Sequence, residues 1–72
     1  MKWWTSKNLT EDRRRDVVAR ALAASPGGRT VSLSSGKRIY LDVHDASGAV
    51  VKSFRVDRGG QLRPWLSHWR RP

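Results

Sequence analysis

The stretch RIYLDVH, residues 38–44, alternates polar and apolar residues without interruption. This period of two is typical of a β-strand that buries one face and exposes the other. The pattern places Ile39, Leu41 and Val43 on the inner side of a sheet and Tyr40 on its outer side. The rest of the predicted fold follows from what pairs with this strand and what covers its inner side.

A second strand precedes this segment and a third follows it. Residues 30–34 (TVSLS) alternate in the same way, and Ser-Gly-Lys at 35–37 supplies the turn between the two strands. Residues 49–57 follow a polar loop at 45–48 and complete a three-stranded antiparallel meander. The alternation breaks near the start of the third strand, where an inward position falls on Lys52. Either Lys52 faces outward through a bulge, or Val51 lies on the outer face, and we expect a bulge or an irregular start to this strand.

One helix is predicted before the sheet. Thr10 is a favourable N-cap residue, and the two acids after it suit the positive end of the helix dipole. The helix should run from about Glu11 to Ala24, because Ser-Pro-Gly-Gly at 25–28 ends it. Residues 1–9 precede the helix as an extended lead-in, and at least one of their two tryptophans should pack on the domain.

A second helix is predicted after the sheet, in the closing stretch LRPWLSHWRRP at residues 62–72. Pro64 suits the first turn of a helix, and four apolar residues recur at helical spacing: Leu62, Trp65, Leu66 and Trp69. Because so short a helix is unstable alone, it should pack beside the first. The predicted fold is a small single α+β domain, residues 10–72, of order αβββα, with two helices packed on one face of a three-stranded antiparallel meander. The predicted core is Val17, Val18, Ala21, Leu22, Val31, Leu33, Ile39, Leu41, Val43, Phe54, Val56, Leu62, Trp65, Leu66 and Trp69.

Charge is the strongest functional signal in the composition. Fifteen Lys and Arg residues outnumber six Asp and Glu, which gives a net charge of +9, and eleven of the fifteen are arginines. Such an excess favours a polyanionic partner, which is DNA, RNA or an acidic protein surface. An arginine excess can also reflect a GC-rich genome, so composition alone leaves the partner open.

The sequence contains no constellation typical of an enzyme, and we predict neither catalysis nor a cofactor. The two histidines lie on different predicted elements, and no acid orients His68. Asp42, His44 and Asp45 cluster at one hairpin, and we interpret them as a polar turn rather than as metal ligands. There is no cysteine, no secretory signal and no apolar stretch long enough to span a bilayer. We expect a cytoplasmic protein that does not act at a membrane.

The predicted element order is similar to that of double-stranded-RNA-binding domains and of the small mRNA-interferase toxins of the HicA type. The likeness covers residues 10–71 in element order only. The toxins have a Gly-Ser-His-type motif entering a strand, where this chain has SGKRIY at 35–40. The RNA-binding domains have a lysine-rich start to the last helix, where this chain reads LRPW at 62–65. We therefore assign the chain to neither family.

We expect a small non-enzymatic protein that binds DNA or RNA through arginines placed against phosphates. Residues 58–72 contain four basic residues and no acid. Tyr40 on the outer face of the sheet, or an exposed tryptophan, could stack on bases. The predicted contact residues are Arg38, Tyr40, Arg55, Arg58, Arg63, Arg70 and Arg71. The alternative is a phage or mobile-element type of protein that binds a host protein machine and inhibits or modulates it. A protein of either class could act as a homodimer.

Overall fold

The computed structural model describes residues 3–65. In chain order they form a short 3-10 helix at Ser6–Asn8, one α-helix, α1, at Glu11–Ala23, and four strands: β1 at Thr30–Ser35, β2 at Ile39–His44, β3 at Val50–Val56 and β4 at Leu62–Pro64. The strands form one antiparallel sheet in the order β1-β2-β3-β4, so each strand pairs with its neighbour in the chain. α1 packs against one face of the sheet, which we call the inner face. The prediction of a small α+β domain is confirmed.

The first residues of α1 explain where it begins. Thr10 has an extended backbone, and its side-chain oxygen accepts a hydrogen bond of 3.2 Å from the Arg13 N–H. This bond satisfies one of the donors left unpaired at a helix start. Val17 and Ala21 lie about one turn apart, are fully buried and form the side of the helix that meets the sheet. Beyond the helix end, the Ser25 hydroxyl donates a hydrogen bond to the Ala21 carbonyl at 2.8 Å.

The alternation of β2 sets the two faces of the sheet. Ile39, Leu41 and Val43 are fully buried on the inner face, and the residues between them are half-buried on the opposite, outer face. Phe54 and Val56 of β3 are buried beside them. Further apolar residues pack around this core while staying partly exposed: Trp4, Leu9, Val18, Leu22, Val31, Leu33 and Leu62.

The start of β3 is irregular, as the broken alternation predicts. Lys52 pairs with Val43, but the next pair joins Val50 to His44, so Val51 is an extra residue in β3. Lys52 does not turn outward at this bulge. Its ammonium lies 5.5 Å from the ring centre of the inward-facing phenylalanine of the same strand.

The predicted order αβββα is wrong, because the described chain has one α-helix and a fourth strand, β4, where a second helix was predicted to start. The local sequence accounts for the difference. A residue before proline favours extended backbone, which suits Arg63. Pro64 is tolerated at the edge of a sheet, where no partner needs its missing N–H. Arg63 and Pro64 would also suit a segment that leads into a helix. The strand is favoured because the edge of β3 offers hydrogen-bonding groups to this segment. Leu66 and Trp69 lie outside the described residues.

Trp65 faces the outer side of the sheet, so its predicted place in the inner core is wrong. Its N–H donates a hydrogen bond of 2.9 Å to the Ser53 carbonyl, which continues the pairing of β3 and β4. The side chain then lies on the outer face, with its ring centre 5.4 Å from that of Tyr40. Leu62, by contrast, packs against the inner core as predicted.

Trp4 fixes the N-terminal segment to the core, which confirms that one of the two tryptophans packs on the domain. Its N–H donates to the Arg58 carbonyl at 3.0 Å, and its indole packs against the buried residues. The indole lies so close to Gly60 that a Cβ there would overlap it. The φ angle of Gly60 is +86°, which favours glycine in any case. The Arg13 guanidinium completes the arrangement, 4.4 Å from the centre of the Trp4 ring.

Candidate functional site

Basic side chains gather at one end of the sheet, which we call the basic end. Lys37 and Arg38 lie in the turn between β1 and β2, and Arg58 lies in the turn between β3 and β4. In an antiparallel meander these two turns share one end of the sheet. Arg55 and Arg63 pair with each other across β3 and β4 close to the same end. These five residues define the basic end.

A pocket of about 250 Å³ opens at the basic end. It is lined by three basic residues and three others: Lys37, Arg38, Arg58, Trp4, Thr5 and Val56. The Ser6 hydroxyl donates a hydrogen bond to the Gly36 carbonyl, so the N-terminal segment is held against the turn that carries two of the basic residues. The pocket is therefore built from three separate parts of the chain.

Within residues 3–65, no carboxylate lies at ion-pair distance from Lys37, Arg38 or Arg58. The ion pairs of that part of the chain are elsewhere: Asp12 with Arg15, Asp16 with Arg20, and Asp57 with Arg63. The positive charge at the pocket is thus not neutralised by any carboxylate of the described residues. Such a cluster attracts an anion from solution.

Asp57 precedes Arg58 in the chain, but its carboxylate forms hydrogen bonds within the turn between β3 and β4 and across to β4. It accepts hydrogen bonds from the Gln61 N–H at 2.8 Å and from Arg63 Nε at 2.9 Å. These bonds lower the pKa of Asp57 below its ordinary 3.8, and the bond from the Gln61 backbone has the largest effect. Asp45 has an equivalent role in the loop at the opposite end, where the Ser47 hydroxyl is the main cause of its lowered pKa. Both carboxylates stabilise turns.

Trp3 lies near the basic end and remains open to solvent. It is 52% exposed, the highest value among the large apolar side chains of the described residues. The Arg58 guanidinium lies 4.8 Å from the centre of the Trp3 ring, within the range of a cation–π contact. The two neighbouring tryptophans thus differ in role, because Trp4 anchors the segment and Trp3 offers an exposed ring. An exposed ring beside basic residues is typical of surfaces that bind single-stranded nucleic acid.

The outer face of the sheet carries a second group of polar and aromatic side chains. The strand register aligns Tyr40, Arg55 and Arg63 in one row across three strands. Arg63 is drawn toward Asp57 by their ion pair. Arg55 therefore extends the positive charge of the basic end onto the outer face, whereas the charge of Arg63 is balanced by Asp57.

Tyr40, the predicted stacking residue, has one side of its ring covered within the protein. It is half-buried, and its ring packs against Trp65, which reaches it across β3. Ser53, which lies on the same face of β3, is buried and donates a hydrogen bond of 2.6 Å to the Asp42 carboxylate. This part of the outer face is therefore occupied by packing within the protein itself.

The predicted site residues separate into two groups. Arg38 and Arg58 line one pocket, whereas Tyr40, Arg55 and Arg63 share a row of the outer face. Arg70 and Arg71 lie outside the described residues. Five residues at or near the pocket are not among the predicted site residues: Trp3, Trp4, Thr5, Lys37 and Val56, the last of which was predicted for the core. Trp3 and Trp4 are adjacent and fit no helix or strand pattern. Two large apolar residues outside any predicted element are the only sign in the sequence that this segment has a role of its own.

No group of three His, Cys, Asp or Glu side chains suited to a metal ion occurs in the part of the chain that the structure describes. The polar cluster at the hairpin is held by separate hydrogen bonds. The His44 ring contacts the Ser32 hydroxyl at 2.9 Å and the Gly48 carbonyl at 3.2 Å. Asp42 and Asp45 have hydrogen-bond partners of their own.

Comparisons with protein-family models, with curated proteins and with solved structures find no match for this chain. Among residues 3–65, no helix has the length and apolar character needed to cross a membrane. The fold and the site define a class, which is a small basic α+β domain with a four-stranded antiparallel meander and a basic pocket at one end.

Proposed function

We propose that the protein binds nucleic acid without catalysing a reaction, and that the pocket at the basic end holds the phosphate backbone. The observation that supports this most strongly is the convergence of Lys37, Arg38 and Arg58 on one pocket without a carboxylate partner in residues 3–65. Each basic residue that neutralises a phosphate releases a counterion, so contacts of this kind strengthen binding at low salt.

Two neighbouring side chains support the same proposal. Trp3 presents an exposed ring on which a base can stack, and Arg58 stabilises the ring through its own contact with it. Arg55 lies three residues before Arg58 in the chain and carries positive charge onto the outer face. Phosphates would contact the pocket and the Arg55 row, while a base lies against Trp3.

The test compares two variants that lose the same charge. Arg38→Gln/Arg58→Gln removes two pocket cations, and Arg14→Gln/Arg15→Gln removes two exposed cations from α1. Labelled single-stranded DNA, duplex DNA and RNA are titrated over a salt series, with circular dichroism to verify folding. Loss of two phosphate contacts should reduce the slope of log K against log salt by about 1.4 on single strands, and affinity by roughly 10- to 100-fold. The α1 variant should change the slope by less than about 0.5.

Two outcomes would contradict the proposal. One is wild-type protein that binds none of the three nucleic acids at about 50 mM salt. The other is an equal loss of affinity in both variants, which indicates charge attraction without a site. Either outcome favours the alternative of a protein that inhibits or modulates a host machine, for which pull-down from a nuclease-treated lysate is the direct assay.

A further inference from the structure

The two edge strands of the sheet differ in how well they are protected from pairing with another chain. β4 has three residues and ends in Pro64, and both features discourage further pairing. β1 has six residues, TVSLSS, without a proline or a charge. An edge of this length and composition is a ready template for another strand.

The hydrogen bonding of β1 shows which of its backbone groups are free. In an antiparallel pair, residues that bond to the neighbouring strand alternate with residues whose N–H and C=O point away from it. The Gly36 N–H donates to the Arg38 carbonyl at 3.1 Å, which fixes the phase of this alternation. Three residues of β1 therefore direct their backbone groups to the open edge, where nothing in residues 3–65 bonds to them: Val31, Leu33 and Ser35.

We propose that β1 pairs with β1 of a second copy of this chain, in antiparallel orientation, so that a homodimer joins the two sheets into one. A twofold axis at Leu33 sets Leu33 opposite Leu33 of the second copy and Val31 opposite Ser35. This register uses every free N–H and C=O of the two edges and forms about six hydrogen bonds.

The properties of β1 fit a second copy. No charges face each other within the strand, so pairing meets no like-charge repulsion there. Val31 and Leu33 are only partly buried at the rim of the inner face. Pairing sets the two Leu33 side chains opposite each other and places Val31 diagonal to Leu33 of the second copy. The described chain buries seven apolar residues, and domains with so small a core often depend on association for stability.

The proposed register also places like charges at both ends of the interface. Arg29, just before β1, comes opposite Lys37 of the second copy, and the symmetry repeats this pair at the other end. Neither residue has a carboxylate partner among residues 3–65. The two pairs weaken the dimer at low salt, and added salt screens them. They also make both the register and the orientation testable.

The test measures the dimer Kd of nucleic-acid-free protein by sedimentation equilibrium, so its result is independent of the proposed function. Arg29→Glu or Lys37→Glu alone converts both like-charge pairs into opposite-charge pairs, and each should tighten the dimer roughly tenfold. The double variant Arg29→Glu/Lys37→Glu places like charges opposite each other again and should return the Kd close to that of the wild type. A double variant that dimerises most tightly would overturn the proposal, because net charge alone would then explain the series.

A second variant tests the backbone contacts. Ser35→Pro removes an N–H that faces the open edge and leaves the bonds between β1 and β2 intact. It should weaken the dimer at least tenfold, while the control Ser34→Ala, which keeps all backbone donors, leaves the Kd unchanged. A folded Ser35→Pro protein with unchanged Kd contradicts the proposal. A wild type and charge variants that all remain monomeric up to about 1 mM contradict it as well.

Discussion

Gly60→Ala is expected to destabilise the protein more than Gly27→Ala, although the two glycines have almost the same backbone conformation, with φ of 86° and 85°. An alanine in this left-handed conformation costs roughly 1–2 kcal/mol at either position. A Cβ on Gly27 would meet nothing within 4 Å. A Cβ on Gly60 would lie 2.5 Å from Cε2 and 2.9 Å from Cδ1 of Trp4, so the indole must move out of its place on the core.

That displacement adds about 1–3 kcal/mol. The expected loss in the free energy of unfolding is therefore about 1–2 kcal/mol for Gly27→Ala and about 2–5 kcal/mol for Gly60→Ala. The assay is urea unfolding followed by circular dichroism. Because a domain of this size has only about 3–5 kcal/mol of stability, all variants are compared in one fixed concentration of the stabilising osmolyte TMAO.

A double-mutant cycle isolates the contact with Trp4. Trp4→Leu keeps an apolar side chain on the core and removes the indole that a Cβ on Gly60 would overlap. In that background the cost of Gly60→Ala should fall to that of Gly27→Ala. Equal losses of stability for the two glycine variants in the wild type would refute the overlap with Trp4, as would an unchanged cost of Gly60→Ala in the Trp4→Leu background.

Three further changes test other parts of the structure. Asp57→Asn should make the free energy of unfolding, measured by urea unfolding, depend less on pH in the acid range. The lowered pKa of Asp57 in the folded protein contributes stability at pH values above 3.8, and this contribution is lost as the pH falls from 3.8 toward the lowered pKa. Gly28→Ala should cost about 1–3 kcal/mol in thermal melting, since its Cβ would overlap a buried valine methyl of β2. Gly36→Ala, whose Cβ meets nothing within 4 Å, should cost less than about 0.5 kcal/mol. Arg13→Ala should lower the free energy of unfolding by about 1 kcal/mol, because it removes the contact with the docked Trp4 indole. Arg14 is exposed, and Arg14→Ala should change the free energy of unfolding by less than about 0.5 kcal/mol.

Local patterns place α1 and the first three strands correctly because each of these elements carries its own signal. The predicted helix, residues 11–24, and the observed Glu11–Ala23 differ by one residue, which is within the usual variation of helix ends. The inward positions of β2 follow from periodicity alone, and Ile39 and Leu41 are fully buried. Neither element needed information from a distant part of the chain.

The segment after β3 could not be assigned in this way. Leu62 and Trp65 are three residues apart, which suits one side of a helix and equally suits the two opposite faces of a strand. The choice between them depends on free hydrogen-bonding groups along the edge of β3. That edge exists only after the meander has formed, so no pattern within the segment itself reveals it.

The candidate site is equally non-local. Arg38 and Arg58 can be selected from the sequence for their charge, but their meeting depends on two turns that share one end of the sheet. Trp3 and Trp4 follow no periodic pattern, so their different roles appear only when the position of Gly60 is known. Charge alone can select these residues as candidates, and the fold is needed to bring them together.

The hydrogen bond from the Trp4 N–H to the Arg58 carbonyl has a consequence for the order of folding. Every strand pairing within residues 3–65 joins neighbours in the chain, so this sheet consists largely of short-range contacts that form fast. During synthesis Trp4 leaves the ribosome early, yet its binding place is completed only when residues 58–60 emerge. The N-terminal wall of the pocket therefore cannot assemble before the turn between β3 and β4 has been made, and the nascent chain carries an undocked indole until then.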